Sequence, residues 1–217
     1  MKKHDCALFD LDGVIVDTAK FHFLAWKKIA SIFNYDLTSN DNELLKGVSR
    51  SDSLQIILKM ANTVIEPSKF EKYLAQKNLD YLDFVQDLGP KDILPGISET
   101  LIFLNKRKVK IGLGSASKNA EVILNKLGLS SFFEIVIDGN KVNKSKPHPE
   151  VFLRGSSALG VAPEKCLVFE DSASGIISAK AAGMTAVAIG SPEKFLNEDF
   201  CYPNFLSLVQ NDLDKLF

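Results

Sequence analysis

ALFDLDGVIVD, residues 7–17, sets a short apolar run directly against three acids. With Cys6 before them, Ala7, Leu8 and Phe9 form a stretch short enough for a buried strand, and Gly13 permits the turn that follows. Asp10, Asp12 and Asp17 come at its end. A carboxylate at the edge of a core is costly to desolvate unless it is paired or bound to a cation, so the arrangement suggests a use, and the partners must come from elsewhere in the chain.

Working outward, helical periodicity takes over. Phe23, Trp26, Ile29, Ala30 and Phe33 recur at three- and four-residue steps between Ala19 and Phe33, and further helical patterns run from Ser51 to Asn62 and from Ser68 to Val85. Three helices with no strand between them mark residues 16–91 as a helical insertion, closed by the Pro- and Gly-punctuated LGPKDILPG. Strands and helices alternate after it. VKIGLGS (109–115), FEIVID (133–138), CLVFED (166–171) and TAVAIG (185–190) read as strands; KNAEVILNKLG (118–128), PEVFLRGSSALG (149–160) and SGIISAKAAG (174–183) read as helices. The last stretch, NFLSLVQNDLDKLF, reads as a closing helix. Near-continuous apolar strands alternating with helices predict an α/β fold with a Rossmann-like parallel sheet, built from residues 1–15 and 92–217.

Composition narrows the function. The 217 residues carry 26 basic and 27 acidic side chains, a balance that argues against nucleic acid or an anionic membrane and for a small ligand. Cys6, Cys166 and Cys201 are too few and too scattered for a disulfide framework, which suits a reducing cytoplasm. The start, MKKHDCALFDLDG, leaves no room for a signal-peptide core, and no later run is long enough to span a bilayer. The expectation is a soluble cytoplasmic protein.

If the sheet is parallel, Asp10, Ser115 and the Glu170–Asp171 pair converge on its carboxyl edge, with Lys146 in a loop after another strand. Asp10 and Asp12, two apart, face the same way if the strand continues. Two like charges about 4 Å apart repel by roughly 4 kcal/mol at an effective dielectric near 20, so several carboxylates together call for a cation. Oxygen ligands without His or Cys favour magnesium over zinc. Each residue alone has an ordinary reading: Asp171 as a helix cap, Ser115 as a turn residue, Lys146 in SKPHP as a solvated loop lysine, Asp17 as a helix-start acid. Their joint occurrence outweighs these. A second anion site is legible in SASKN (115–119), where a strand gives way to a helix and free backbone amides face outward; Ser117, Lys118 and Asn119 add donors, and Arg50 from the insertion can clamp the same group.

DLDGVIVD, the strand-ending Ser115, Lys146 before Pro147, and the Glu170–Asp171 pair together resemble the four motifs of the haloacid dehalogenase superfamily of phosphoryl-transfer enzymes. FHFLAW, LKGVSRSDSLQIIL, the KN at 77–78, LPG and GSASKN narrow the resemblance to its phosphoglucomutase-like branch with a helical cap. The resemblance implies that Asp10 is a nucleophile forming an aspartyl phosphate and Asp12 a general acid and base, with Ser115 and Lys146 catalytic beside them. It implies Mg²⁺ held by Asp10, the main-chain carbonyl of Asp12 and Asp171, with Glu170 alongside. It places His22, Trp26, Gly47, Val48, Ser49, Ser53 and Lys77 at the sugar side and Ser115, Ala116, Ser117, Lys118, Asn119 and Arg50 at the phosphate side. Asp17 and Thr18, with DILPG, would be the hinge of a cap over residues 16–91 that closes to exclude water. Without the family match Trp26 reads equally as core and His22 as a surface histidine. The implied reaction is interconversion of β-glucose 1-phosphate and glucose 6-phosphate through the 1,6-bisphosphate, by a monomer; the alternative is a phosphatase of sugar phosphates or other small monoesters. A sensor without catalysis would not need both Asp10 and Asp12.

Overall fold

The computed structural model describes residues 4–217; residues 1–3, which belong to both the expected core segment and the expected leaderless start, lie outside the described residues. Strand β1 (Cys6–Phe9) is buried along its whole length. It is joined by β2 (Lys110–Gly114), β3 (Ile135–Ile137), β4 (Cys166–Glu170), β5 (Thr185–Ile189) and β6 (Phe200–Tyr202) in one six-stranded sheet of order β3-β2-β1-β4-β5-β6. Every pairing is parallel, with Phe9 opposite Leu113 on one side and Phe169 on the other. The helices are α1 (Ala19–Ile32), α2 (Ser39–Glu43), α3 (Arg50–Met60), α4 (Pro67–Phe84), α5 (Ile97–Lys106), α6 (Ala120–Leu127), α7 (Glu150–Leu159), α8 (Ala173–Ala181), α9 (Phe205–Asn211) and α10 (Leu213–Leu216).

Burial on both faces explains the unbroken apolar reading of β1. Ala7 and Phe9 enter a core that includes Leu101 of α5, Ile123 of α6 and Phe205 of α9, while Cys6 and Leu8 enter a second core with Phe152 of α7 and Ile176 of α8. An alternating strand would leave one of those layers without a partner. Because the strand order runs outward from β1 in both directions, the crevice at the carboxyl ends of β1 and β4 is the topological switch point, where open α/β sheets bind ligands.

Helices α1 to α4 have a core of their own, with Trp26, Ile29, Leu37, Leu54, Ile57 and Leu74 among its buried members. The sequence reading anticipates three helices here and the structure contains four. The additional one, α2, is only five residues long and carries no buried residue, so periodicity could not reveal it; a Thr38–Asp41 capping box starts it, the Asp41 amide reaching the Thr38 hydroxyl at 3.2 Å and the Thr38 amide reaching the Asp41 carboxylate at 2.9 Å. The two chain crossings between this helical segment and the sheet run side by side. Val16 bridges Asp12 in parallel and Ile93 in antiparallel sense, and the Leu94 amide donates to the Ile15 carbonyl at 2.9 Å.

Three further elements depart from the sequence reading. Helix α5 follows the LPG punctuation, started by Gly96 at φ +90°, and its Ile97, Leu101 and Leu104 face the core. Strand β6 is a three-residue edge strand, too short to show a pattern. The closing segment breaks into α9 and α10 at Asp212, whose φ of −139° interrupts the helix. Among the described residues no helix is long and apolar enough to cross a membrane.

Candidate active site

The parallel register delivers the sequence-predicted residues to one edge. The Asp10 amide donates to the Phe169 carbonyl at 3.0 Å, fixing the end of β1 against β4, and the Ser115 amide donates to Ile137 at 2.9 Å, fixing the end of β2 against β3. Lys146, only 2% exposed, sends its ammonium to the Asp10 carboxylate at 2.6 Å and to Glu170. Ser115 is fully buried, and its hydroxyl accepts the Ser117 amide at 3.1 Å. The lysine in SKPHP is thus an interior cation between two carboxylates.

Asp10, Glu170 and Asp171 bring carboxylate oxygens within 4.8 Å of one another. Asp171 does not cap α8; the Ser172 hydroxyl does, accepting the Gly175 amide at 3.1 Å. Glu170 is already engaged by the Asp171 and Ser172 amides, the Ser172 hydroxyl and Lys146. Burial, reinforced by the other carboxylates and opposed by Lys146, drives the Asp10 pKa well above its ordinary value. Burial and then the Glu170 charge push Asp171 up to about 8, against a pull from Lys46. For Lys146, burial favours the neutral amine, but Asp10 and Glu170 outweigh it and keep the side chain charged. Of three crowded carboxylates only Asp10 and Glu170 touch the buried ammonium, so the donor set fits a hard divalent cation with oxygen ligands. Space is allotted to it closely: Gly13 stands at φ +83°, and a Cβ there would lie 2.2 Å from Asp171 Oδ2.

The carboxylate of Asp12, beyond the end of β1, is not part of that cluster. It accepts the hydroxyl of Thr18, at the N-terminal end of α1, and lies 3.6 Å from His22 Nε2. His22 Nδ1 meets Lys77 Nζ at 2.6 Å, so a lysine cation there donates to Nδ1 and leaves the ring proton on Nε2, toward Asp12. His22 also stacks on Tyr81 at 4.1 Å, while Lys77 lies over the rings of Trp26 (5.1 Å) and Tyr81 (4.9 Å). Burial, followed by Lys77, lowers the His22 pKa. Trp26 is both core and site: it is buried in the helical segment and borders the cleft.

A cleft of about 710 Å³, counting its open mouth, separates the helical segment from the sheet. Asp10, Asp12 and Asp171 border it, and His22, Trp26, Gly47, Val48, Arg50, Ser53, Lys77, Ala116, Ser117 and Lys118 complete most of its wall. Gly47 is held at φ +71° against α8; a Cβ there would lie 2.4 Å from the Ser174 hydroxyl oxygen, whose proton goes to the Lys46 carbonyl at 2.9 Å. Three expected lining residues differ, and one of them, Ser115, borders an adjoining cavity instead. The Ser49 hydroxyl is turned to Asp52 at 2.6 Å, where it caps α3, and Asn119 reaches its amide across to the Asn78 side-chain oxygen at 2.9 Å rather than into the cleft. Arg50 donates to that same oxygen at 2.8 Å, so Asn78 joins α3, α4 and the loop before α6. Helix α6 itself begins at Ala120, two residues later than the periodicity suggests, because residues 116–119 turn back through Ser115 and Ser117 hydroxyl contacts. Asp17 is exposed and paired with Lys20 at 3.8 Å.

Asn78, Lys46 and Asn42 are contributors that the sequence reading did not single out. Lys46 lies 4.0 Å from Asp171 and 3.1 Å from Glu43, and it borders the cleft together with Asn42. The signal for Asn78 and Lys46 was present only as neighbours of Lys77 and Gly47 in motifs otherwise quoted.

Comparison with known proteins places this geometry. The model of the haloacid dehalogenase-like hydrolases matches residues 7–189. The chain is 41% identical over 194 residues to the β-phosphoglucomutase of Bacillus subtilis strain 168, covering 88% of this chain and 86% of that one. It is 32% identical to a fructose-1-phosphate phosphatase of Escherichia coli K12, covering 84% of this chain and 94% of that one. The crystal structure of a β-phosphoglucomutase from Clostridium difficile superposes with a TM-score of 0.93 at 36% identity over 98% of both chains.

Proposed function

This chain belongs to the haloacid dehalogenase-like hydrolase family, and within it we propose that it interconverts β-glucose 1-phosphate and glucose 6-phosphate through an aspartyl-phosphate enzyme and the 1,6-bisphosphate. One observation supports the reading: a single cleft is lined both by the acids Asp10 and Asp171 and by the cations Arg50 and Lys118. Hydrolysis of a monoester needs only the first set. A sugar bearing two phosphates needs both, because one group is held while the other is transferred.

Asp10 supplies the attacking oxygen and Lys146, hydrogen-bonded to it, neutralises charge on the transferring group. Asp12 protonates the leaving sugar oxygen and takes the proton of the attacking hydroxyl in the return step. His22 and Lys77 orient Asp12, and Arg50 with Ser117 and Lys118 holds the distal phosphate, Asn119 bracing that loop through Asn78. Asp10, Asp171 and the main-chain carbonyl of Asp12, with Glu170 alongside, would hold Mg²⁺, which would supply the positive charge that lets a carboxylate attack a phosphate. The helical segment acts as a cap hinged at Asp17, Thr18 and residues 92–96, closing to keep water from the aspartyl phosphate. Balanced charge supports small-molecule substrates and the free cysteines support a cytoplasmic setting, while the monomer is what the family resemblance implies.

The test supplies β-glucose 1-phosphate, magnesium and a trace of bisphosphate. Glucose 6-phosphate is expected to accumulate in excess over inorganic phosphate. Phosphate release without glucose 6-phosphate would replace this reading with that of a phosphatase, the activity named for the 32%-identical relative.

A pH profile tests the sugar side. Burial, then the Arg50 charge, pushes Lys77 down to about 7, with Asp12 pulling the other way. A cation that helps bind an anionic sugar is therefore present below about pH 7 and lost above it. In kcat/KM, which reports the free enzyme, activity is expected to fall by up to about tenfold per pH unit above that point. Bound substrate keeps Lys77 charged, so kcat should stay flatter. Lys77→Met should be weaker throughout and lack this alkaline limb; an identical limb in both proteins would assign it to another group.

A further inference from the structure

We propose that Asp52 and Ser145 form a clasp between α3 and the Lys146 loop that sets how much aspartyl phosphate is lost to water, an inference that rests on the transfer reading above. Asp52 lies in the first turn of α3 and Ser145 lies 93 residues away, immediately before Lys146. One carboxylate oxygen, Asp52 Oδ2, accepts both the Ser49 hydroxyl at 2.6 Å and the Ser145 hydroxyl. Helix capping accounts for the first contact, since the Ser49 hydroxyl in turn accepts the Asp52 amide at 3.1 Å. It does not account for the second. A loop serine has no need of a carboxylate on another layer, because water satisfies it equally well.

The position of the contact gives it a consequence. A cavity adjoining the main cleft, with Ala116 and Lys118 in the walls of both, is bordered by Asp52 and Ser145 together with Ser115 and Lys146. The clasp forms part of its wall, beside the lysine paired with Asp10. It also ties the two anion-handling parts of the site to each other: α3 carries Arg50, held to Asn78, and the neighbour of Ser145 is that same lysine. Docking of the distal-phosphate clamp is thereby coupled to the loop that presents Lys146. Asp52 and Ser145 are positioning residues in this scheme, acting through closure and touching neither phosphate.

Ser145→Ala removes the contact and leaves the α3 cap intact. In the full chain, with β-glucose 1-phosphate, magnesium and trace bisphosphate, inorganic phosphate released per glucose 6-phosphate formed is expected to rise about tenfold, the scale of one hydrogen bond to a charged acceptor. Ser145→Thr, which keeps the hydroxyl, should restore the ratio. Asp52→Ala should raise it equally, and the double variant should be no worse than either single one, as partners in one contact require. Amide exchange over residues 46–54 should quicken in Ser145→Ala. An unchanged ratio in Ser145→Ala, additive effects in the double variant, or unchanged exchange would overturn the clasp. Should the unaltered protein release phosphate and form no glucose 6-phosphate, the transfer reading fails, and the exchange measurement still decides the clasp.

Discussion

Asp10→Asn is expected to lower the formation of glucose 6-phosphate by on the order of 10⁴-fold or more, the scale on which removing the nucleophile acts in covalent catalysis. The reason lies in what the change leaves in place. Asparagine has the shape of aspartate, so the β1 to β4 backbone contact and the cores on either side of the strand are untouched. Lys146 loses one carboxylate and keeps the other, Glu170, so the buried ammonium is not orphaned. Burial already works against the Asp10 charge, and its removal relieves a crowd of three acids. The melting temperature should therefore stay within roughly 2 to 4 °C of the unaltered protein, the shift that about 1 kcal/mol causes in a chain of this size. Intact-mass measurement of mixtures quenched during turnover should find a phosphoryl group on the peptide containing Asp10 and none in the variant. An Asp10→Asn variant that keeps a tenth of the activity would rule out the covalent route, and unfolding would show in the melting curve before it could be mistaken for lost chemistry.

The legibility of this site in the sequence has a physical limit. A parallel sheet puts every strand's carboxyl end on one edge, so a residue read at the end of a strand is placed in space as well as in sequence. Asp10, Ser115, Glu170 and Asp171 were legible for that reason, and Lys146 through its place between a strand and the next helix. Helices α1, α3 and α4 were legible from apolar spacing, since each buries a stripe. What the sequence could not carry was the fit between the helical segment and the sheet. Asp52 and Ser145, Asn78 and Asn119, Lys46 and Asp171 meet across that gap through single polar side chains, with neither periodicity nor motif to announce the pairing. Ser49 shows the same limit from the other side: its place in the motif suggested the cleft, and a local capping contact with Asp52 claimed its hydroxyl.

Asp12→Ala separates proton transfer from phosphoryl transfer. Burial would raise the Asp12 pKa, but the His22 ring and the Thr18 hydroxyl outweigh it and hold the carboxyl below its ordinary value. The group is therefore ionised at neutral pH in the free protein, able to take the proton of an attacking hydroxyl and then to return it to a leaving sugar oxygen. Loss of such a group costs typically ~10²- to 10⁴-fold when the leaving group is an alkoxide. An acyl phosphate departs as a carboxylate and needs no proton. Phosphorylation of Asp10 by an acyl phosphate should consequently survive Asp12→Ala within a few-fold, while phosphorylation by the sugar bisphosphate falls by that larger factor. Single-turnover labelling with each donor makes the comparison. Equal losses with both would mean that Asp12 shapes the pocket through Thr18 and His22 without moving a proton, because a positional defect cannot tell one leaving group from another.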